Sequence, residues 1–203
     1  MSKSNNKNVK KLALIALFSS ISAILMFFDF PLPIAPTFMK MDLSELPVII
    51  GGFILGPISC VTISMLKVLI KFIIKGTSTM FLGELANFIG SIAYALPACL
   101  IYSSLKNKKR AVHGLFIGTI LSSLACTLFN AFLLFPLYMN VFHMGKDAII
   151  GMCRAILPFI DSMLKVMLFS VFPFNILKFS ITSIITYMLY KHVSKMTKGF
   201  INK

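Results

Sequence analysis

"LPVIIGGFILGPISCVTISMLKVLIKFII", residues 46–74, is a nearly continuous apolar run, and the number of times it crosses a membrane decides the architecture of the chain. One tilted helix would send every later segment to one side; two short helices turning at Gly56–Pro57 would send them to the other. Gly-Pro is a strong turn signal. The basic cluster "KNKKR" (106–110) arbitrates, because cytoplasmic loops of membrane proteins are enriched in Lys and Arg. With the basic N-terminus inside, only the two-helix reading also puts 106–110 inside. Helix 2 is therefore expected at about 45–56 and helix 3 at about 58–74.

Composition supports the premise that lipid is the solvent. Of 203 residues, 58% are hydrophobic and mean hydropathy is +0.90, against ~45–50% apolar in a soluble domain. At ~20 residues per crossing, the length suits about six short helices and leaves no room for large soluble domains. The net charge of +14 does not point to nucleic acid, because the basic residues gather at the two ends and at 106–110. The opening "MSKSNNKNVKKLALIALF" has the basic start of a signal peptide. Its apolar run continues to Phe28 without a small-x-small cleavage site, which predicts a retained first helix at about 12–28.

Helices follow at about 80–104, 111–137 (ending near Pro136) and 172–192, with 146–171 lying along the outer surface because it carries Asp147, Arg154, Asp161 and Lys165. The expectation is a single all-α integral membrane domain over residues 1–203, with six transmembrane helices and both termini cytoplasmic. Cys60, Cys99, Cys126 and Cys153 are widely separated and read as small apolar residues, and His113, His143 and His192 lack ligand spacing, so no metal site is expected. No phosphate-binding G-x-x-x-x-G-K-[ST] motif is present.

This topology places five polar side chains at one depth. Glu84 and Asn87 open helix 4, Asn130 lies near the end of helix 5, and Asn175 and Lys178 open helix 6, all in the outer half. Glu84 with Asn87, and Asn175 with Lys178, are spaced i,i+3 and share a face. Polar groups inside a membrane are costly and face a cavity or one another. Two readings follow: a Glu84–Lys178 ion pair locking helices, or a polar pocket, with Thr79 contributing, that binds hydroxyls and heterocycle edges. The proline-rich loop 29–44 is the natural cover, and Asp42 or Ser44 is positioned to cap helix 2. Lys71 and Lys75 are expected to snorkel to the outer headgroups, while Lys67 is deeper, and a pocket role is the alternative reading for it. On helix 1, Ala13, Ala16 and Ser20 form a small-residue face suited to close approach of another helix, inside or outside the chain.

Four segments in order, "KMDLSELPVIIGGFILGP" (40–57), "GTSTMFLGELANFIG" (76–90), "LFNAFLLFPLY" (128–138) and "PFNILKF" (173–179), resemble the riboflavin-specific substrate-binding subunit (S component) of energy-coupling factor (ECF) transporters. The resemblance implies a six-helix subunit without enzymatic activity that binds riboflavin, as transported ligand rather than cofactor, from outside a bacterial cell membrane. It implies ligand contacts at Glu84, Asn130 and Lys178, with Asn87 and Asn175 from the same motifs, and contact of Met41, Asp42 and Leu43 with the flavin ring. It implies partners as well: a transmembrane coupling protein, met through an Ala-xxx-Ala face on helix 1, and two cytoplasmic ATPases. Here Ala13 and Ala16 are three apart and the i,i+4 partner of Ala16 is Ser20, so the register departs from that pattern. A different vitamin, such as thiamine or biotin, a proton-coupled carrier using Glu84, and a ligand-free assembly subunit are the competing readings.

Overall fold

In lipid every backbone polar group must be satisfied within the segment, which favours long helices. The computed structural model, which describes residues 3–32, 39–77, 80–141 and 145–201, is built almost wholly of them. α1 is Lys3–Phe27, α2 Glu45–Leu55, α3 Pro57–Lys75 and α4 Leu82–Ser104. α5 runs Lys108–Phe129, passes through a π turn at Asn130–Leu134 and continues as Phe135–Val141. α6 is Lys146–Arg154. α7 starts at Met163–Val166, passes through a second π turn at Met167–Val171 and runs on as Phe172–Ile201. Between α1 and α2, β1 (Phe30–Pro31) and β2 (Lys40–Met41) pair antiparallel, Phe30 opposite Met41.

Five stretches are long and apolar enough to cross a membrane: Lys7–Phe27, Pro57–Lys75, Leu82–Ser104, Lys108–Val141 and Met163–Tyr190. α2 falls short of the six full crossings expected, because its 11 residues cover only about 16 Å of a ~30 Å hydrocarbon core. α2 and α3 are separated by Gly56 at φ 98°, a left-handed backbone that glycine adopts freely, and Pro57 then starts α3, where its missing N–H costs nothing.

Two boundaries differ from the sequence reading for one reason. α5 continues past Pro136 to Val141, and α7 begins at Met163 instead of about 172, so 146–171 is not a single surface segment. Each π turn immediately precedes a Phe-Pro pair, Phe135–Pro136 or Phe172–Pro173. The wider coil of a π turn absorbs the ring and the missing donor that would otherwise break the helix. Only α6 remains as a separate surface helix of that region, with Ile149 and Cys153 buried beneath it.

Two apolar clusters hold the bundle. One gathers Ile15, Val48, Phe53, Ile63, Tyr94, Tyr102 and Phe179 from α1, α2, α3, α4 and α7; within it Phe53 stacks on Tyr102 with ring centroids 4.3 Å apart. The other joins Met39 and Met41 to Leu134, Phe135, Ile149, Val171 and Phe174. α4 and α5 cross closely at a small-xxx-small pair, Gly114 and Gly118. A Cβ on Gly118 would lie 2.4 Å from the Tyr94 carbonyl oxygen, and one on Gly114 2.7 Å from that of Ala98. Both obstacles are backbone and cannot rotate away. At this crossing Ser183 of α7 bonds Tyr94 Oη (2.9 Å) and Thr119 Oγ1 (3.0 Å), tying three helices by hydroxyls.

Gly118→Ala is expected to lower stability by about 1–3 kcal/mol through overpacking. Gly151→Ala, inside α6 where a Cβ meets nothing within 4 Å, is expected to leave stability unchanged or raise it by up to about 1 kcal/mol. Thermal unfolding of the two variants in the same detergent checks both.

Candidate functional site

Glu84, in the first turn of α4, is buried, and the local chain explains why it can be. α3 ends at Gly76, whose φ of 70° turns the backbone out of the helix. Met80 (φ 49°) and Phe81 (φ 70°) are both left-handed although neither is glycine, a conformation seen mostly where structure or function demands it. Thr77 fixes this turn: its Oγ1 accepts from the Phe81 N–H (2.9 Å) and donates to Glu84 Oε2 (2.9 Å). Thr77, which sequence reasoning passed over, is thus the hydroxyl beside Glu84. Thr79 lies outside the described residues.

Three asparagines repeat one device. The side-chain N–H of Asn87 donates to Gly83 O (3.0 Å), that of Asn130 to Cys126 O (2.6 Å) and that of Asn175 to Val171 O (2.9 Å), each one turn back on its own helix. An amide has two N–H donors and one carbonyl oxygen, so this bond uses one donor and sets the direction of the rest. Asn130 begins the first π turn and Asn175 follows the second, and such turns recur at functional sites.

Lys178 does not follow the Glu84–Lys178 alternative: its ion pair is with Asp42, Nζ to Oδ2 3.0 Å, both side chains buried. The other carboxylate oxygen of Asp42 accepts from the Ser44 N–H at 2.8 Å, so Asp42 closes the turn before α2 instead of capping the helix itself. Burial alone would raise the Asp42 pKa. The ammonium of Lys178, then that of Lys67, and the Ser44 hydrogen bonds overcome it and hold the carboxyl well below the usual carboxylate range. Lys67, fully buried, donates to Glu45 Oε1 (2.6 Å) and Ser44 Oγ (3.1 Å). Glu45 Oε2 accepts from Ser91 Oγ (2.6 Å), which also bonds Ser64 Oγ (2.8 Å), and Ser22 of α1 donates to the Ser44 carbonyl.

These residues surround a cavity of about 490 Å³, within the ~300–1,000 Å³ range of small-molecule sites. α4 contributes Glu84, Asn87 and Gly90; α5 contributes Cys126, Asn130, Leu134 and Tyr138; α7 contributes Phe174, Asn175, Lys178 and Phe179. The segment before α2 contributes Asp29, Met39, Lys40 and Asp42, followed by Glu45; the end of α3 contributes Lys71, Lys75 and Thr77. Members of both apolar clusters, Phe179 from one and Leu134 and Phe174 from the other, line it, so it lies between them. The five polar residues singled out from sequence therefore converge on one wall system. Lys71 and Lys75 join them, where headgroup anchoring had been expected, whereas Lys67 stands behind Glu45. Met41 and Leu43 pack into the apolar cluster beside the cavity, and Asp42 between them faces it. On α1, Ala13, Ala16 and Ser20 are exposed, while Ser19, Ser22 and Ala23 are buried, so the small-residue face points away from the bundle.

Comparison with known proteins places this arrangement. Residues 10–190 match the family model described as ECF transporter, substrate-specific component. The chain is similar to the riboflavin transporter RibU of Staphylococcus aureus, 29% identical over 197 residues that cover 97% of this chain and 96% of the relative. It is similar to the riboflavin transporter FmnP of Bacillus subtilis, 28% identical over 184 residues and 90% of each. A solved structure of the S component of a bacterial ECF transporter superposes with a TM-score of 0.72 at 27% identity, over 94% of this chain and 99% of that one.

Breaking one half of a buried ion pair strands the other charge, so Lys67→Met is expected to cost about 3–5 kcal/mol. Adding Glu45→Gln is expected to recover much of that loss. A double-mutant cycle on unfolding midpoints in detergent measures the coupling; a cycle in which the two changes add without coupling would show the pair to be energetically idle.

Proposed function

The chain belongs to the family of ECF transporter substrate-specific components, which are transporter subunits and not enzymes, and on that premise we propose that it is the riboflavin-binding component of an ATP-driven vitamin uptake system. The observation that carries this reading is the convergence of Glu84, Asn87, Asn130, Asn175 and Lys178 on one cavity, in a chain whose full-length relatives are named riboflavin transporters. The donor and acceptor set suits an uncharged, hydroxyl-rich ligand with a flat heterocycle. The carboxylate accepts from hydroxyls, the ammonium donates to them, and the amides do both. Phe174, Phe179, Met39 and Leu134 supply apolar contact for the ring. In this reading riboflavin lies with its ribityl hydroxyls toward Glu84, Asn130 and Lys178, and its ring toward the segment that holds Met41, Asp42 and Leu43.

The same reading fixes the orientation. The cavity sits at the end of the bundle formed by the loop before α2, the end of α3 and the start of α4. The 106–110 cluster, in the turn after α4 and the first residues of α5, lies at the opposite end, where the basic α1 N-terminus also belongs. The proposal is a multi-pass protein of the bacterial cell membrane, with α2 and α3 as the second and third of six membrane helices, both termini cytoplasmic, and the described parts of the 29–44 loop (29–32 and 39–44; 33–38 lie outside the described residues) bordering the cavity on the outer side. Lipid and riboflavin are its small partners. Its protein partners are a transmembrane coupling protein, for which the outward Ala13, Ala16 and Ser20 face is the suited contact, and two cytoplasmic ATPases that supply the nucleotide chemistry absent from this sequence.

Protein purified in detergent is expected to be yellow, or to quench added riboflavin fluorescence at a stoichiometry near one. A colourless preparation without quenching rejects the ligand. Asn130→Ala is expected to weaken binding by about ten- to a hundredfold, the cost of one or two unmade hydrogen bonds to a buried polar group, with an unfolding midpoint close to the parent.

A further inference from the structure

Lys178 is the most buried of the cations that line the cavity, and its charge is already compensated within the fold. Its Nζ stands 3.0 Å from Asp42 Oδ2, with the two side chains only 9% and 5% exposed. Asp42 is held from the far side by the Ser44 N–H, and Ser44 is held by Lys67. Two further pairs repeat the pattern: Lys40 with Asp29 at 3.4 Å, and Lys67 with Glu45 at 2.6 Å. Asp29, Asp42 and Glu45 thus each face an ammonium, and with Glu84, Lys71 and Lys75 also on the wall the lining holds four carboxylates (Asp29, Asp42, Glu45, Glu84) and four ammoniums (Lys40, Lys71, Lys75, Lys178), so it is close to neutral.

We propose that Asp42 sets the charge selectivity of the cavity: by neutralising Lys178 it keeps that ammonium a hydrogen-bond donor for an uncharged hydroxyl and rejects the anionic, phosphorylated form of the same ligand. This inference rests on the proposed riboflavin site and assigns within it a specificity residue. The physical basis is asymmetric. A hydroxyl next to a Lys–Asp pair accepts from the ammonium and donates to the carboxylate, so it satisfies both. A phosphate placed there gains from Lys178 but meets Asp42 as a like charge, in surroundings where such a juxtaposition costs several kcal/mol. Phosphate added to a ligand is a large perturbation (about −1.5 to −2 charges and three acceptor oxygens), so a single compensating carboxylate can decide between the two forms. Removing the Asp42 charge leaves Lys178 as an unspent cation with the donors of a phosphate site.

The test is the ratio of the Kd for riboflavin 5'-phosphate to that for riboflavin, read by fluorescence quenching on full-length protein in detergent. For D42N this ratio is expected to fall at least about tenfold, because like-charge repulsion is exchanged for attraction. For K178Q, which leaves Asp42 uncompensated, it is expected to rise. For the double variant D42N/K178Q, where a neutral pair replaces an ionic one, it is expected to fall between the two single-variant values, because the net charge beside the ligand is again that of the parent. A role for Asp42 in folding alone would weaken both ligands by the same factor and leave every ratio unchanged, and that result overturns the proposal. If D42N yields no folded protein, the K178Q ratio decides by itself: an unchanged or lower ratio is equally fatal. Absence of riboflavin binding by the parent would reject the proposed function instead, so the two failures are distinguishable.

Discussion

Charge buried in an apolar bundle must be compensated where it lies, and the four consecutive residues 42–45 at the entry to α2 carry that constraint for much of the structure. Asp42 answers Lys178 of α7, Ser44 and Glu45 answer Lys67 of α3, Glu45 also meets Ser91 of α4, and the Ser44 carbonyl meets Ser22 of α1. Four helices are thereby referenced to one short segment by contacts that tolerate little displacement. An ion pair of this kind is weak evidence for net stability, since desolvation offsets much of the attraction. What it supplies is geometry: it fixes where the pre-α2 segment sits on the bundle, and with it the wall of the cavity that Asp42 and Glu45 form.

The two π turns do for α5 and α7 what the ion pairs do for the loop. A helix carrying Pro136 or Pro173 in an ordinary α register would lose a hydrogen bond and clash one turn back. Widening the coil before each Phe-Pro pair lets the helix continue, and it changes the rotation of everything on one side of the turn relative to the other. Asn130 and Asn175 sit at these changes of rotation, both facing the cavity, both bonded back to their own helix. The prolines that looked like helix ends in the sequence are the reason the amides are aimed as they are.

What was legible in the sequence follows from which forces act locally. The apolar runs, the Gly56–Pro57 break and the depth of Glu84, Asn130 and Lys178 are set by lipid, by backbone sterics and by charge asymmetry, all of which one chain displays residue by residue. The choice of partner for Lys178 was not, because Asp42 is distant in sequence and reads first as a cap; only the folded chain shows it turned toward α7. Thr77 was missed for a related reason, since its role depends on two left-handed residues that no local propensity favours. Small residues were ambiguous in both directions. Ala13, Ala16 and Ser20 drew attention and face outward, whereas Gly114 and Gly118 did not and seat α5 against α4. Spacing identifies a close-approach face, but only packing says which helix approaches it.

Under the proposed function, release is the harder half of the cycle. A ligand enclosed by the pre-α2 segment leaves only if that segment moves, and moving it away from α7 separates Asp42 from Lys178. Parting a buried pair exposes two charges to surroundings that solvate them poorly, a cost of several kcal/mol that must be met at the moment of opening. Glu45, three residues beyond Asp42, is itself paired with Lys67 of α3, which also bonds Ser44, so the end of the segment that joins α2 is held separately. The sequence carries no phosphate-binding loop with which to do this work by itself. Capture, by contrast, needs nothing beyond the pre-set donors and acceptors of the cavity. Under the proposed function a partner that deforms the loop-to-bundle contact would discharge the ligand, and a partner seated on the outward small-residue face of α1, the helix whose Ser22 bonds Ser44, would lie one helix away from that contact.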